Sequence, residues 1–270
     1  MPRPTMPDIR LITLDLDDTL LNSDKHISPR TEAALRRAAE AGVEIVPASG
    51  RGAQTLWKYV EQLGTVDAVV TTNGSQVLNR QHEVIFERRI PKDTARQIAR
   101  FAEDHNWYIQ GYTADDFYYE KVTKETELYH QFGGHWGYPI GKLSENITED
   151  PYKMIFIEED MEEMARLRAA ADERFSKEVN LFGSKPFYYE ATAPGCTKGE
   201  ALLRLAEEHG ISREEIMCCG DSDNDLSMLD AAGYAVAVGN ARDSVKAHAN
   251  IVCASNDEEG VAQVVEQYIL

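Results

Sequence analysis

A regular alternation of short apolar segments with longer amphipathic segments opens the chain and limits the folds available to it. The apolar segments are residues 9–15, 43–49 and 66–72, each of the length typical of a buried strand. The first intervening segment begins with a Ser-Pro pair at 28–29 and ends at Gly42, which predicts a helix between them. Strands and helices in this order favour a parallel sheet with right-handed crossovers.

The same alternation returns from residue 198 to the C-terminus, whereas the middle of the chain differs. Residues 84–190 are rich in aromatic side chains and contain hairpin-like segments. We therefore predict an α/β protein whose Rossmann-like parallel sheet core comprises residues 1–83 and 191–270. Residues 84–190 are predicted to form an inserted α+β domain. The two points where the chain passes between the domains are predicted to form a hinge.

The charge of the chain excludes several classes of partner. There are 46 acidic and 28 basic residues, a formal net charge of −18. Such a surface repels nucleic acid and anionic lipid, so we expect neither nucleic acid nor membrane as a partner. It also repels phosphorylated molecules, so any phosphate site must supply its own local positive charge.

Cysteine usage and hydropathy predict a soluble, cytoplasmic protein with reduced thiols. The four cysteines match no zinc-binding pattern, and two of them are adjacent, which is a poor disulfide framework. The sequence contains no apolar run of membrane-spanning length and no signal-peptide segment. It does not indicate an oligomeric state.

Two carboxylates directly follow the first predicted strand. Asp15 and Asp17 stand at the point where ligands bind in open parallel sheets, the carboxyl ends of the strands. Carboxylates this close repel each other unless a cation or a shared proton neutralises them, and hard oxygen ligands near a phosphate suit Mg²⁺. An Asp-rich turn without function remains the alternative, since Asp is common where strands end.

A second acidic cluster follows another predicted strand. Residues 220–225 read Gly-Asp-Ser-Asp-Asn-Asp and precede a predicted helix. Asp223 or Asn224 could act only as a helix cap. Nevertheless, two acidic clusters at the ends of two strands of one sheet make a better metal cradle than two unrelated turns.

Four further residues are candidates for binding a ligand. Ser49 ends the second strand, where a hydroxyl and free backbone N–H groups can hold phosphate oxygens, although Ser-Gly is also an ordinary turn. Lys198 opens a helix, where its charge is unfavourable for the helix dipole, so either a phosphate contact or simple solvation would explain it. Asn73 ends the third strand and is a candidate substrate contact. Arg51 would either contact substrate or merely begin a helix.

Taken together, these elements resemble the motifs of the haloacid dehalogenase superfamily. They are Asp15-x-Asp17-x-Thr19, Ser49, Lys198 and Gly220-Asp221-x-x-Asn224-Asp225, in this order. The inserted segment and the Thr72-Asn73-Gly74 turn resemble the Cof-type subgroup, whose large α+β cap selects the substrate. The resemblance covers essentially the whole chain, with one departure at Asp18, where the family often has glycine.

The resemblance implies a role for each matching residue. Asp15 would attack phosphorus and form an aspartyl-phosphate, while Asp17 would act as the general acid and base. Asp15, the main-chain carbonyl of Asp17 and Asp221 would hold Mg²⁺. Ser49, Asn73, Lys198 and Asn224 would bind the phosphoryl group or the substrate, and Asp225 would support Lys198 or the waters on the metal.

The implied activity is hydrolysis of small phosphorylated metabolites, with sugar phosphates the expected substrate class. A phosphomutase that uses the same aspartyl chemistry is the main alternative, and release of free inorganic phosphate would distinguish the two. A non-catalytic sensor of phosphorylated ligands is a further alternative, but such proteins are expected to lack a catalytic group, and here all four motif elements are intact.

Overall fold

The computed structural model describes residues 8–114, 116–133 and 136–270. The chain forms two compact units. The first consists of the segment up to Phe86 together with Thr197–Leu270, and the second is Glu87–Cys196. In the described residues, no helix is long and apolar enough to cross a membrane.

Strands and helices alternate along most of the chain. The strands are β1 (Leu11–Asp15), β2 (Glu44–Ala48), β3 (Ala68–Thr71), β4 (Gln76–Asn79), β5 (Val84–Glu87), β6 (Tyr108–Tyr112), β7 (Phe117–Tyr119), β8 (Tyr138–Pro139), β9 (Lys153–Ile157), β10 (Asn180–Gly183), β11 (Tyr188–Thr192), β12 (Ile216–Gly220), β13 (Tyr234–Ala237) and β14 (Ile251–Val252). The helices are α1 (Pro29–Glu40), α2 (Ala53–Val60), α3 (Lys92–His105), α4 (Lys124–Gly133), α5 (Leu143–Asn146), α6 (Met161–Phe175), α7 (Lys198–Glu208), α8 (Leu226–Ala231), α9 (Asp243–Lys246) and α10 (Gly260–Tyr268).

The first unit is built on a sheet with the strand order β14-β13-β12-β1-β2-β3-β4-β5. Strands β14 to β3 in this order are parallel, and β4 pairs antiparallel with β3. From β1 the chain proceeds outward to β2 and β3, whereas from β12 it proceeds in the opposite direction to β13 and β14. The order therefore reverses between β1 and β12, and such a switch point is where ligands bind in open α/β sheets.

Local sequence signals explain where these elements begin and end. The Ser28 hydroxyl accepts a hydrogen bond from the backbone N–H of Thr31, and Pro29 occupies the first position of α1. Gly42, with a φ of 92°, lies in the turn that leads to β2. All five residues of β1 are buried, as expected for a parallel strand covered on both faces. The predicted α/β class with a parallel sheet core is confirmed.

In its described residues, the second unit contains a six-stranded sheet with the order β10-β11-β9-β6-β7-β8 and four helices. Its pairs are antiparallel except for the parallel pair of β7 and β8. One hydrophobic cluster contains Tyr112, Phe117, Tyr119, Ile155, Ile157 and Tyr188. Several aromatics of the middle segment therefore form part of the core of this unit.

The division between the units differs slightly from the predicted limits of 84–190. Strand β5 joins the first sheet, which places residues 84–86 in the first unit. Strand β11 belongs to the second sheet, and the second unit continues to Cys196. The difference arises because hydrogen-bonded pairing, rather than composition, decides which sheet a strand joins.

Candidate active site

Two acidic loops follow β1 and β12, the strands on either side of the switch point. Asp15 is the last residue of β1, and its side chain is buried. The parallel register places Leu14 opposite Cys219, so the loops after Asp15 and Gly220 leave the sheet side by side. After Asp15 the chain makes one irregular helical turn, Leu16–Leu20.

The Asp225 carboxylate organises the loop after β12. Its Oδ2 accepts hydrogen bonds from the backbone N–H groups of Asp221 at 2.9 Å and Ser222 at 3.0 Å. A Cβ atom on Gly220 would lie 2.6 Å from the Asp225 Cβ, closer than packed carbon atoms approach. Glycine at position 220 is therefore required for Asp225 to fold back onto its own loop.

Lys198 links the two loops through a buried ammonium group. It is the first residue of α7, whose N-cap Thr197 accepts a hydrogen bond from the Glu200 backbone N–H at 3.1 Å. Its Nζ donates to Asp15 Oδ1 at 2.5 Å and to Asp225 Oδ1 at 2.7 Å, and the residue is fully buried. Burial by itself would lower the pKa of Lys198, but the attraction of the two carboxylates outweighs it and raises that pKa.

The carboxylates of Asp15, Asp221 and Asp225 form a compact acidic cluster. One carboxylate oxygen from each lies within 4.8 Å of the others. Burial, reinforced by Asp225 and Asp221, raises the pKa of Asp15 well above its usual value despite the adjacent Lys198. Burial and then Asp225 raise the pKa of Asp221 to about 7. One lysine thus leaves three neighbouring acids with an excess of negative charge.

A divalent cation fits this donor set. Carboxylate oxygens are the hard ligands that Mg²⁺ prefers. Asp225 accepts three hydrogen bonds, from the Lys198 ammonium and two backbone N–H groups. Asp15 accepts one and Asp221 two from hydroxyls, so Asp15 and Asp221 are the more available ligands. The Asp221 carboxylate is also oriented, since Thr19 Oγ1 donates to its Oδ1 at 3.1 Å and Ser222 Oγ to its Oδ2 at 2.9 Å.

Three predicted ligand-binding residues form a second linked group. Ser49 follows β2 and is buried, and its backbone carbonyl accepts a hydrogen bond from the Asn73 N–H at 3.0 Å. Asn224 Nδ2 donates to Asn73 Oδ1 at 2.9 Å. Asn73 has a φ of 57°, a left-handed conformation that Asn adopts more readily than most residues. The structure therefore joins the turns after β2, β3 and β12 by direct hydrogen bonds.

Asp17 is held by a partner that sequence reasoning did not identify. Arg51 forms a bidentate ion pair with it, with Nε 2.7 Å from Oδ2 and Nη2 2.8 Å from Oδ1. Lys25 Nζ lies 3.7 Å from Asp17 Oδ1. The only signal in the sequence was the place of Arg51 after β2, the strand next to β1. The Asp17 carboxylate is not part of the acidic cluster, and its predicted metal contact uses the main-chain carbonyl.

The backbone conformation at Asp18 is one that both Asp and the expected glycine can adopt. Its φ of 61° lies in the left-handed region, where glycine is relaxed and Asp is one of the few tolerated alternatives. Its carboxylate accepts a hydrogen bond from Lys25 Nζ at 3.0 Å, and its carbonyl accepts one from Asn240 Nδ2 at 2.7 Å. The substitution thus preserves the turn.

Comparisons with known proteins identify the family of the chain. A family model of haloacid dehalogenase-like hydrolases matches residues 12–265. The chain is 31% identical over 264 residues to the 5-amino-6-(5-phospho-D-ribitylamino)uracil phosphatase YcsE of Bacillus subtilis, covering 97% of each chain.

Two solved structures share the architecture. One is a haloacid dehalogenase-like hydrolase from B. subtilis, with 29% identity, a TM-score of 0.86, and coverage of 97% of this chain and 100% of that one. The other is the subclass IIB sugar phosphatase BT4131, with 25% identity, a TM-score of 0.84, and the same coverage.

The raised pKa of Asp221 predicts how stability depends on pH without a metal. An unfolded Asp titrates near pH ~3.9, whereas folded Asp221 titrates at about 7. Between these values the folded state binds more protons, so in EDTA the free energy of unfolding should fall as pH rises from ~4 to ~7. Urea unfolding at several pH values measures this. Asp221→Asn should lack this part of the slope, and saturating Mg²⁺ should remove it from the wild type. Parallel pH profiles of the two proteins in EDTA would contradict the prediction.

Proposed function

We propose that this chain is an Mg²⁺-dependent phosphatase that acts through an aspartyl-phosphate on Asp15. The chain belongs to the haloacid dehalogenase-like hydrolases and to their Cof-type group. That it is a phosphoric monoester hydrolase follows from the family and from its phosphatase relatives. The observation that carries the mechanism is the buried cluster of Asp15, Asp221 and Asp225 around Lys198.

In the first step, a carboxylate oxygen of Asp15 attacks phosphorus while the bond to the leaving oxygen breaks. Asp17 supplies the proton that the leaving oxygen takes up. In the second step, a water attacks the aspartyl-phosphate, Asp17 accepts the proton of that water, and Asp15 is regenerated with release of inorganic phosphate. Arg51 contacts both oxygens of the Asp17 carboxylate and positions it.

The other residues of the site stabilise charge and position the phosphoryl group. Lys198 orients Asp15 and contributes positive charge, and Asp225 fixes Lys198. Asp15, Asp221 and the Asp17 carbonyl would hold a divalent cation, which would supply the positive charge that a phosphate needs in this acidic cluster. Ser49, Asn73 and Asn224 supply neutral donors for the phosphoryl oxygens or the substrate.

We propose small phosphorylated metabolites, and sugar or sugar-alcohol phosphates in particular, as the substrate class. Two similar proteins support this proposal, because YcsE is named as the phosphatase of a phosphoribityl compound and BT4131 as a sugar phosphatase. The role of the second unit in selecting the leaving group and a location in the cytoplasm remain predictions. The direct test is a screen of phosphorylated metabolites with Mg²⁺, scored as kcat/KM for phosphate release; transfer of the phosphoryl group to a second sugar would indicate a mutase instead.

Separate substitutions of Asp15 and Asp17 by asparagine test the mechanism. Asp15→Asn removes the nucleophile while nearly preserving shape, so it should form no phosphoenzyme. Asp17→Asn keeps the nucleophile but removes the acid and base, which is worth about 10²–10⁴-fold in rate. With an activated ester such as p-nitrophenyl phosphate, Asp17→Asn should accumulate a phosphoenzyme, detected by intact-protein mass spectrometry after acid quench. Equal labelling of both variants, or a label on another residue, would show that Asp15 is not the nucleophile.

The acidic cluster also predicts the metal dependence. EDTA should abolish activity, Mg²⁺ should restore it, and Ca²⁺ should restore it poorly, because Ca²⁺ prefers more ligands at longer distances. Activity of the stripped protein is measured after each metal is added back. Full turnover in EDTA would refute the role of the cluster as a metal site.

The ion pair between Arg51 and Asp17 predicts a selective effect of Arg51→Gln. A misplaced acid should lower kcat/KM, which reports transfer to Asp15, by about 10²-fold for esters with poor leaving groups, such as alkyl phosphates. For esters with good leaving groups kcat/KM should fall much less, because these leave without protonation. Arg51→Lys should not restore the rate, since lysine cannot make the bidentate contact.

Arg36→Gln is the matched control for this experiment, because Arg36 forms a surface pair with Glu32 on α1. It should leave kcat/KM unchanged for both kinds of ester. An equal loss of kcat/KM for good and poor leaving groups in Arg51→Gln would rule out a role for Arg51 in positioning the acid.

A further inference from the structure

The second unit contains a cavity of about 440 Å³ that shares no residue with the acidic cluster. It is bordered by α3, α5 and α6, and three arginines line it: Arg96, Arg100 and Arg174. The aromatic rings of Phe101 and Phe175 contribute an apolar part of the lining. Three guanidinium groups in one cavity are unexpected in a chain with a net charge of −18.

Two of the arginines are held in place by contacts that leave donors available. Arg96 Nε donates to the Ile147 carbonyl at 3.0 Å and its Nη2 to the Glu145 carbonyl at 3.3 Å. Carbonyl partners fix the guanidinium without neutralising it. Because a guanidinium carries five N–H donors, Arg96 retains donors for a ligand.

Arg174 is also fixed, but by an ion pair with Glu178 that neutralises its charge. It donates to Glu178 Oε1 at 3.0 Å and to Gln97 Oε1 at 3.2 Å, and its guanidinium lies 4.7 Å from the centre of the Phe175 ring. These contacts restrict the side chain in advance, which lowers the entropy lost when a ligand binds.

Arg100 supplies an uncompensated charge. It lies one helical turn after Arg96 and one turn before Asp104, the only acidic residue of the lining. Within the described part of the chain, neither Arg100 nor Asp104 has a hydrogen-bond or ion-pair partner, although residues four apart on a helix are within reach of each other. Because Glu178 neutralises Arg174, Arg96 and Arg100 against Asp104 leave the lining with one excess positive charge.

We propose that this cavity binds a small organic phosphate. Guanidinium groups match the oxygens of a phosphate in geometry and charge. A bare inorganic ion would leave most of the space unused, because cavities of about 300–1,000 Å³ typically hold organic ligands. The Phe101 and Phe175 rings suit the apolar part of such a ligand. This second site does not depend on the proposed phosphatase activity.

The test measures binding of phenylphosphonate, which no phosphatase hydrolyses, to the full chain by isothermal titration calorimetry. EDTA is present throughout, so that the acidic cluster, without its cation, repels the anion. We expect one binding site, with weaker binding of inorganic phosphate, which lacks the ring. Arg100→Gln should weaken the affinity for phenylphosphonate about tenfold, the loss expected for one charged hydrogen bond.

The control variant is Arg166→Gln, an exposed arginine on α6 that pairs with Glu163 outside the cavity. It should bind phenylphosphonate as the wild type does. Since Arg100 has no partner in the described residues, its substitution should also leave the thermal unfolding midpoint unchanged. Absence of binding, equal affinities in Arg100→Gln and Arg166→Gln, or equal affinities for inorganic phosphate and phenylphosphonate would overturn the proposal.

Discussion

The buried contact of Lys198 with Asp15 and Asp225 is the interaction on which the site depends. It connects the start of α7, the end of β1 and the loop after β12, so three separate segments are fixed by one ammonium group. Burying these charges costs several kcal/mol for each ion, and their mutual attraction offsets this only with good geometry. Such an arrangement is therefore better explained by a function of these charged groups than by a contribution to stability. With Asp221 included, three carboxylates face one ammonium group, and either a proton or a cation reduces this excess of negative charge.

Much of the fold and of this cluster could be predicted from the sequence, for identifiable physical reasons. Strands such as β1 and β12 are short, apolar and bounded by polar turns, and the helix that starts at Pro29 carries its own cap. Once parallel strands are recognised, their carboxyl ends must share one edge of the sheet. The predicted proximity of Asp15 and Asp221 follows from this topology, and the structure places them together.

Features that depend on side-chain conformation or long-range pairing could not be predicted in this way. The pair of Arg51 and Asp17 requires two side chains to meet, and the sequence contains only their separate positions. In the second unit, Lys153 and Glu190 form a buried ion pair with an Nζ–Oε2 distance of 2.9 Å. These residues lie on different strands, β9 and β11, and each alone resembles an ordinary surface residue. Antiparallel pairing of two strands that are separated in the chain by α6 and β10 decides their contact, and no local pattern encodes it.

The environments of Asp15 and Asp17 explain how two carboxylates so close in sequence can serve different roles. The Asp15 side chain is 8% exposed and contacts Lys198, whereas that of Asp17 is 29% exposed and contacts Arg51. A nucleophile benefits from a buried position where a cation and an ammonium group fix its orientation. A general acid and base must instead exchange protons with water, which requires partial exposure, and the bidentate contact with Arg51 fixes its orientation. The irregular turn after β1 separates the two environments, and thereby the two proposed roles.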